Sequence, residues 1–196
     1  MPIAINGSGT VTGISVGGLP DGIVDTDMIA ANAVTAAKRG AGAILQVVQT
    51  VKTDTTSITT LDTWTDISGM SVSITPSSAS NKILVTAVLN TGIEDDSYYI
   101  LRLEKDGTAI GVGDAAGNRS QGYFGQGPHS NSEMIENTTI NYLDTAGGTS
   151  AITYNVAWWF AHQSGHTLYL NRCKYDANQD YAPIMSSTIT AMELAA

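Results

Sequence analysis

Three short stretches hold residue types from which a chemical site could be built. In "HQSGH", His162 and His166 stand four apart. A zinc protease uses that spacing on a helix, with a glutamate after the first histidine as general base. Here Gln163 fills that place and Ser164-Gly165 spell a turn, so the pair reads as loop-end histidines. In "DANQD", Asp176, Asn178 and Asp180 alternate as the opening of a calcium loop does. Tyr181 stands where that loop needs glycine, and Ser187 where it needs its closing glutamate, which excludes an EF-hand. The three remain secondary candidates for a looser metal site; no metal is expected. "GVGDAAG" lacks the Walker lysine and the strand-loop-helix setting of a phosphate loop. "EDD" at 94–96 reads as a solvated turn.

Catalysis by side chains alone has little to start from. No nucleophile elbow marks a serine hydrolase. A sugar-cleaving enzyme would need two carboxylates paired across a groove, drawn from Glu104, Glu133, Glu136 and Asp144. The expectation is a protein that is no enzyme and carries no cofactor.

Recognition is better supplied. Residues 111–130 are Gly-rich and polar and hold Arg119, Tyr123, Phe124 and His129. Residues 174–186 hold Tyr175, Asp176, Asn178 and Tyr181. Aromatic faces for stacking beside amides, carboxylates and a guanidinium are what sugar or protein recognition uses. Long loops in a compact β-domain are commonly functional, so these eight are candidate receptor-binding residues. The bland alternative is that the aromatics pin their own loops.

The elements that must position these loops are strands. "ILQVVQTVK" (44–52) is one, and 63–76 places Ile67, Met70, Val72 and Ile74 on one face with Gly69 as an irregularity. Residues 81–93 put Ile83, Val85, Ala87 and Leu89 on one face; 98–113 form a hairpin about Asp106-Gly107. Further strands fall in 131–145, 149–162, 166–175 and 187–195. Eight or nine strands at turn-punctuated spacing predict an antiparallel sandwich or barrel. In "AITYNVAWWF", Ile152, Tyr154, Val156, Trp158 and Phe160 face the core while Trp159 faces out. Tyr98 and Ile100 lie opposite Tyr99 and Leu101, and Leu84 and Val88 lie opposite Ile83 and Val85. One sheet is therefore expected to be apolar on both faces, with Leu84, Val88, Tyr98, Ile100 and Trp159 meeting another copy of the chain.

Composition narrows the class. The 196 residues carry a net charge of −9, with only 14% charged. Few basic residues argue against nucleic acid and against an anionic membrane surface. No apolar run reaches the length of a membrane helix, and the first ten residues lack the form of a secretory signal. The single Cys173 follows an apolar run and is expected to be buried.

The amino end is different. Residues 1–22 have too few apolar side chains for a core and can be ordered only on a partner. Residues 23–42 read as a neck: Asp25 or Thr26 caps a helix, Lys38 and Arg39 close it, and Gly40 ends it. Val24, Met28, Ala31 and Thr35 form one stripe, a further subunit-interface candidate. Apolar pairs at every fifth residue offer a rival β-type repeat. An isolated helix of this length is marginal in water and needs other helices.

The stretch "MPIAINGSGTVTGISVGGLPDGIVDTDMIAANAVTAAKRGAG" resembles the amino end of tail-fibre and related virion fibre proteins of bacteriophages, marine ones especially. The remainder resembles, in texture, the jelly-roll tips of trimeric fibres. The resemblance implies a phage structural protein made in the host cytoplasm and assembled into the virion. Residues 1–22 would anchor to other virion proteins, 23–42 would form a trimeric helical neck, and 43–196 a jelly-roll-like β-sandwich. That sandwich would bind a host-surface glycan or protein. A head fibre, a capsid decoration protein and a polysaccharide-cleaving spike are the alternatives.

Overall fold

Alternating apolar residues decide which way each strand of this chain faces. The computed structural model describes residues 34, 38–93, 97–127, 133–161 and 165–196. The chain divides into Met1–Arg39 and Gly40–Ala196. The readings for the arm and for the neck stripe of Val24, Met28, Ala31 and Thr35 lie outside the described residues.

The second unit is built from β1 (Ile44–Lys52), β2 (Thr56–Ile58), β3 (Thr65–Ile74), β4 (Lys82–Ile93), β5 (Tyr98–Lys105), β6 (Thr108–Ile110), β7 (Phe124–Gln126), β8 (Glu136–Thr145), β9 (Ile152–Ala161), β10 (Leu168–Leu170) and β11 (Ser187–Leu194). All pairings are antiparallel. Three pairs of strands share a lane. Both β10 and β11 lie along the same edge of β4; β1 and β2 lie along β11 and β10; β6 and β7 lie along the same edge of β5. Counting lanes in chain order, the first sheet runs 1-8-3-6 and the second 2-7-4-5. Among the described strands only the β5–β6 hairpin joins neighbours within one sheet, at Asp106 (φ 48°) and Gly107 (φ 77°). This is the strand order of a jelly roll, two interlocked Greek keys.

The core lies between the sheets. Ile83, Val85, Ala87 and Leu89 of the first sheet meet Leu101, Leu103, Tyr154, Val156 and Phe160 of the second. Ile67, Met70, Val72 and Ile74 all face inward because β3 shifts register between Asp66 and Ser71. Gly69 (φ 82°) supplies the left-handed backbone of that bulge. Trp158 is buried and Cys173 is 1% exposed. Leu84 and Tyr98 sit in different sheets, which corrects the expectation of one sheet apolar on both faces: each sheet has its own apolar outer surface.

The two ends differ. Gly42 N–H donates to Ala195 O and Ala195 N–H to Ala43 O, so the chain enters the sandwich beside β11. Glu193 closes that end. It is 1% exposed and accepts from Gln46 Nε2, Ser77 N–H, Ser77 Oγ and Asn81 Nδ2 at 2.6–2.8 Å. Burial opposes its ionisation, yet the donors of Asn81, Gln46 and Ser77 prevail and hold its carboxyl below the ordinary range. The same end is tied across the sheets by Asp144 of β8, which meets Lys105 Nζ and Tyr154 Oη at 2.7 Å each.

Candidate functional site

The two long loops of the sequence are excursions out of single lanes. Residues 111–123 leave lane 5 after β6 and return as β7; residues 171–186 leave lane 8 after β10 and return as β11. A lane that is interrupted and resumed must have its gap stitched, and both gaps are.

The first excursion folds onto the outer face of the second sheet. Tyr123 N–H donates to Leu101 O, and Tyr123 Oη both donates to Asn141 O (2.6 Å) and accepts from Asn141 N–H (3.2 Å). That satisfies the backbone of Asn141 on the free edge of β8. A Cβ on Gly122 would stand 2.1 Å from Ile100 Cγ2, so only glycine lets the loop lie this close. Phe124 packs its ring 5.9 Å from that of Tyr99. Tyr99 in turn has its hydroxyl 2.7 Å from Thr91 Oγ1; burial above all, with Glu136 beside it, pushes its pKa up to about 12. Tyr123 and Phe124, expected to bind a receptor, thus pin their own segment.

Between this excursion and the sheet a cleft of about 600 Å³ stays open. Its floor is formed by two cross-strand pairs of β5 and β9, Ile100 with Trp159 and Tyr98 with Ala161. Asn118, Arg119, Ser120 and Gln126 bring polar side chains to its lining. The outward Trp159 and Ile100 are therefore partly covered by the chain itself. The cleft lies at the end of the sandwich opposite Gly42 and Ala195, beside the start of β5 and the close of β9.

Next to it on the same face lies a charged cluster that no sequence motif signalled. Arg102 stacks 4.0 Å over the ring of Trp64 and pairs with Glu104 at 2.6 Å. Asn155 Nδ2 donates to both Asp66 Oδ1 (2.8 Å) and Glu104 Oε2 (3.0 Å). Loss of solvent, then the facing charge of Glu104, raises the pKa of Asp66. Cross-strand register brings these residues together; alternation alone could place them only on one face.

The second excursion is stitched by Asn171, which is fully buried at φ 64°. Its Nδ2 donates to Lys52 O and Asp54 O, both at 2.9 Å, and its Oδ1 accepts from Ser187 Oγ at 2.6 Å. Its backbone N–H donates to Asn90 O and its carbonyl accepts from Met185 N–H. Beyond this neck Tyr175 and Tyr181 stack at 5.8 Å, both exposed, and their contact raises the Tyr181 pKa. Asp176 lies 3.4 Å from Arg172 Nη1, while Asn178 and Asp180 are exposed. No group of three or more metal-binding side chains occurs among the described residues. His129, His162 and Ser164 lie outside them; His166 Nδ1 meets Ser97 Oγ at 2.9 Å.

The outer face of the first sheet is the other notable surface. Register aligns Val47, Met192, Leu84 and Leu143 in one row across all four lanes. A parallel row holds Val51, Thr188, Val88 and Thr139, and between them run Gln49, Thr190, Thr86 and Asn141. Val47, Val51 and Leu143 are 54%, 52% and 55% exposed. Ile44, Leu194, Lys82 and Thr145 complete the face, and Lys82 is its only charge in these rows.

Fold and surfaces define the class: an eight-lane jelly-roll sandwich with a bare apolar face on its first sheet and an open cleft on its second. No protein-family model matches the chain, and no curated protein matches it.

Proposed function

We propose that the chain is a subunit of a homotrimeric virion fibre or spike of a bacteriophage, whose β-sandwich is the host-recognising tip. The observation that carries this reading is the outer face of the first sheet. A solvated sheet face normally interleaves charges of both signs. Here four lanes present valine, leucine and methionine in register with a single lysine. Two further copies of the same chain, converging about a threefold axis, would cover it.

Magnitude says how the face is used. Four lanes at ~4.8 Å and four rows at ~6.8 Å make a patch of about 14 by 20 Å, on the order of 300 Å². A stable interface needs about 800 Å² per partner. The sandwich face supplies less than half, so the neck over 23–42 contributes the rest. The resemblance of residues 1–42 to fibre amino ends supports the virion setting. The polarity of the sandwich supports the tip: the chain enters at one end, and the cleft opens at the other.

Sedimentation of the full chain tests the oligomer, and antibody against the sandwich applied to virions tests its placement. A monodisperse monomer, or virions that bind no antibody, would refute the proposal.

A further inference from the structure

We infer that the cleft between Trp159 and the 118–120 segment is a saccharide site, selective for a sugar that carries a carboxylate. The inference deepens the host-recognition part of the proposed function and rests on it; the oligomer does not enter.

Asn118, Arg119 and Ser120 are exposed, so their polar groups can exchange water for a ligand. Among the described residues the side chains of Asn118, Arg119, Ser120 and Gln126 make no hydrogen bond or ion pair, although other polar groups nearby are engaged, as Gln121 Nε2 is with Gly113 O. Four polar side chains without internal partners surround a half-buried indole on one concavity. A sugar ring needs this combination: a flat apolar surface for its C–H face and convergent donors and acceptors for its hydroxyls. A purely apolar ligand would leave the polar lining unpaired, and a purely polar one would leave the indole and Ile100 uncovered. The volume of about 600 Å³ falls within the range of small-ligand sites.

Charge narrows the class. Among the described residues Arg119 is the only charged one lining the cleft, in a chain of net charge −9. Its planar fork matches a carboxylate in a bidentate pair. The tip is thus expected to bind acidic surface polysaccharide in preference to neutral polymer.

Gly125 gives a clean way to close the site. It lines the cleft on β7, and a Cβ there would meet Ile100 Cγ1 and Tyr99 O at 3.8 Å, ordinary contact distance. Gly125→Leu therefore fits the strand and fills the cleft. Arg119→Ala removes the charge from an exposed residue.

The labelled full chain should be applied to an array of acidic and neutral bacterial-surface oligosaccharides, and each hit titrated by calorimetry. Hits should be confined to carboxylate-bearing sugars. Arg119→Ala should weaken them by about ten-fold or more, the loss of one charge-assisted pair. Gly125→Leu should abolish them with its melting temperature unchanged. No hit, hits on neutral sugars alone, or hits that Arg119→Ala and Gly125→Leu both retain would overturn the inference. Adsorption of the same protein to host cells separates the two levels. Adsorption that survives Gly125→Leu overturns the cleft alone; no adsorption by the unaltered chain overturns the tip reading itself.

Discussion

Replacing Asn171 by alanine should cost the sandwich about 4 kcal/mol. Three side-chain hydrogen bonds disappear, to Lys52 O, Asp54 O and from Ser187 Oγ. At about 1 kcal/mol each for bonds at a fully buried site, that is about 3 kcal/mol. Alanine must also adopt φ 64°, which costs about 1 kcal/mol more. A domain of this size has a total stability of roughly 8–20 kcal/mol, so the loss is a large fraction. The melting temperature should fall by about 8–16 °C. Companion substitutions separate the causes. Asn171→Gly keeps the backbone unstrained and should cost about 3 kcal/mol, the bonds alone. Asn171→Asp points a carboxylate at two carbonyl oxygens and should be at least as damaging as alanine. Urea unfolding monitored by tryptophan fluorescence measures all three. A loss below about 1 kcal/mol for alanine, or glycine worse than alanine, would refute the claim that this residue stitches lane 8.

Glu193 sets an acid limit. Its folded pKa lies below the unfolded one, so its contribution is present above the unfolded value and is lost as pH falls through the folded value. The unaltered protein should therefore lose stability below about pH 4.5 more steeply than Glu193→Gln, which a series of urea midpoints against pH would show. Tyr123→Phe should lower stability by about 1–2 kcal/mol, because Asn141 then loses both of its bonds to the hydroxyl; parallel urea curves that coincide would contradict the pinning role. Val47→Asp and Leu143→Asp should leave the unfolding free energy of an isolated sandwich within about 0.5 kcal/mol of its original value, since both positions are over half exposed. In the full chain they should weaken association, read as a lower mass by light scattering; an unchanged mass would clear this face of the interface.

Much of the sandwich was legible because its signals are local. Alternation in 81–93 and 152–160 fixes which residues face the core, and Asp106-Gly107 fixes the hairpin. Gly69 marks the one register shift of β3. The short β2 and β7 left no pattern, since three residues cannot show a period. Lane sharing was invisible for a different reason. It is a long-range property, carried for lane 8 by Asn171 reaching across to Lys52 and Asp54. The same holds for the candidate site. Arg119 lines the cleft, but Tyr123 and Phe124 turn inward because the edge of β8 and the ring of Tyr99 give them partners. The apolar rows of the first sheet needed cross-strand register, which sequence alternation does not specify.

We propose that this chain works as a trimer through the outer face of its first sheet together with residues 23–42. Sedimentation equilibrium of the full chain, beside Leu143→Asp and a chain beginning at Gly40, tests it most directly. The unaltered protein should sediment at three times the 20.5 kDa chain mass. That species should be markedly lost for Leu143→Asp and for the chain without residues 1–39. A full-length protein that sediments as a single chain at every concentration would contradict it.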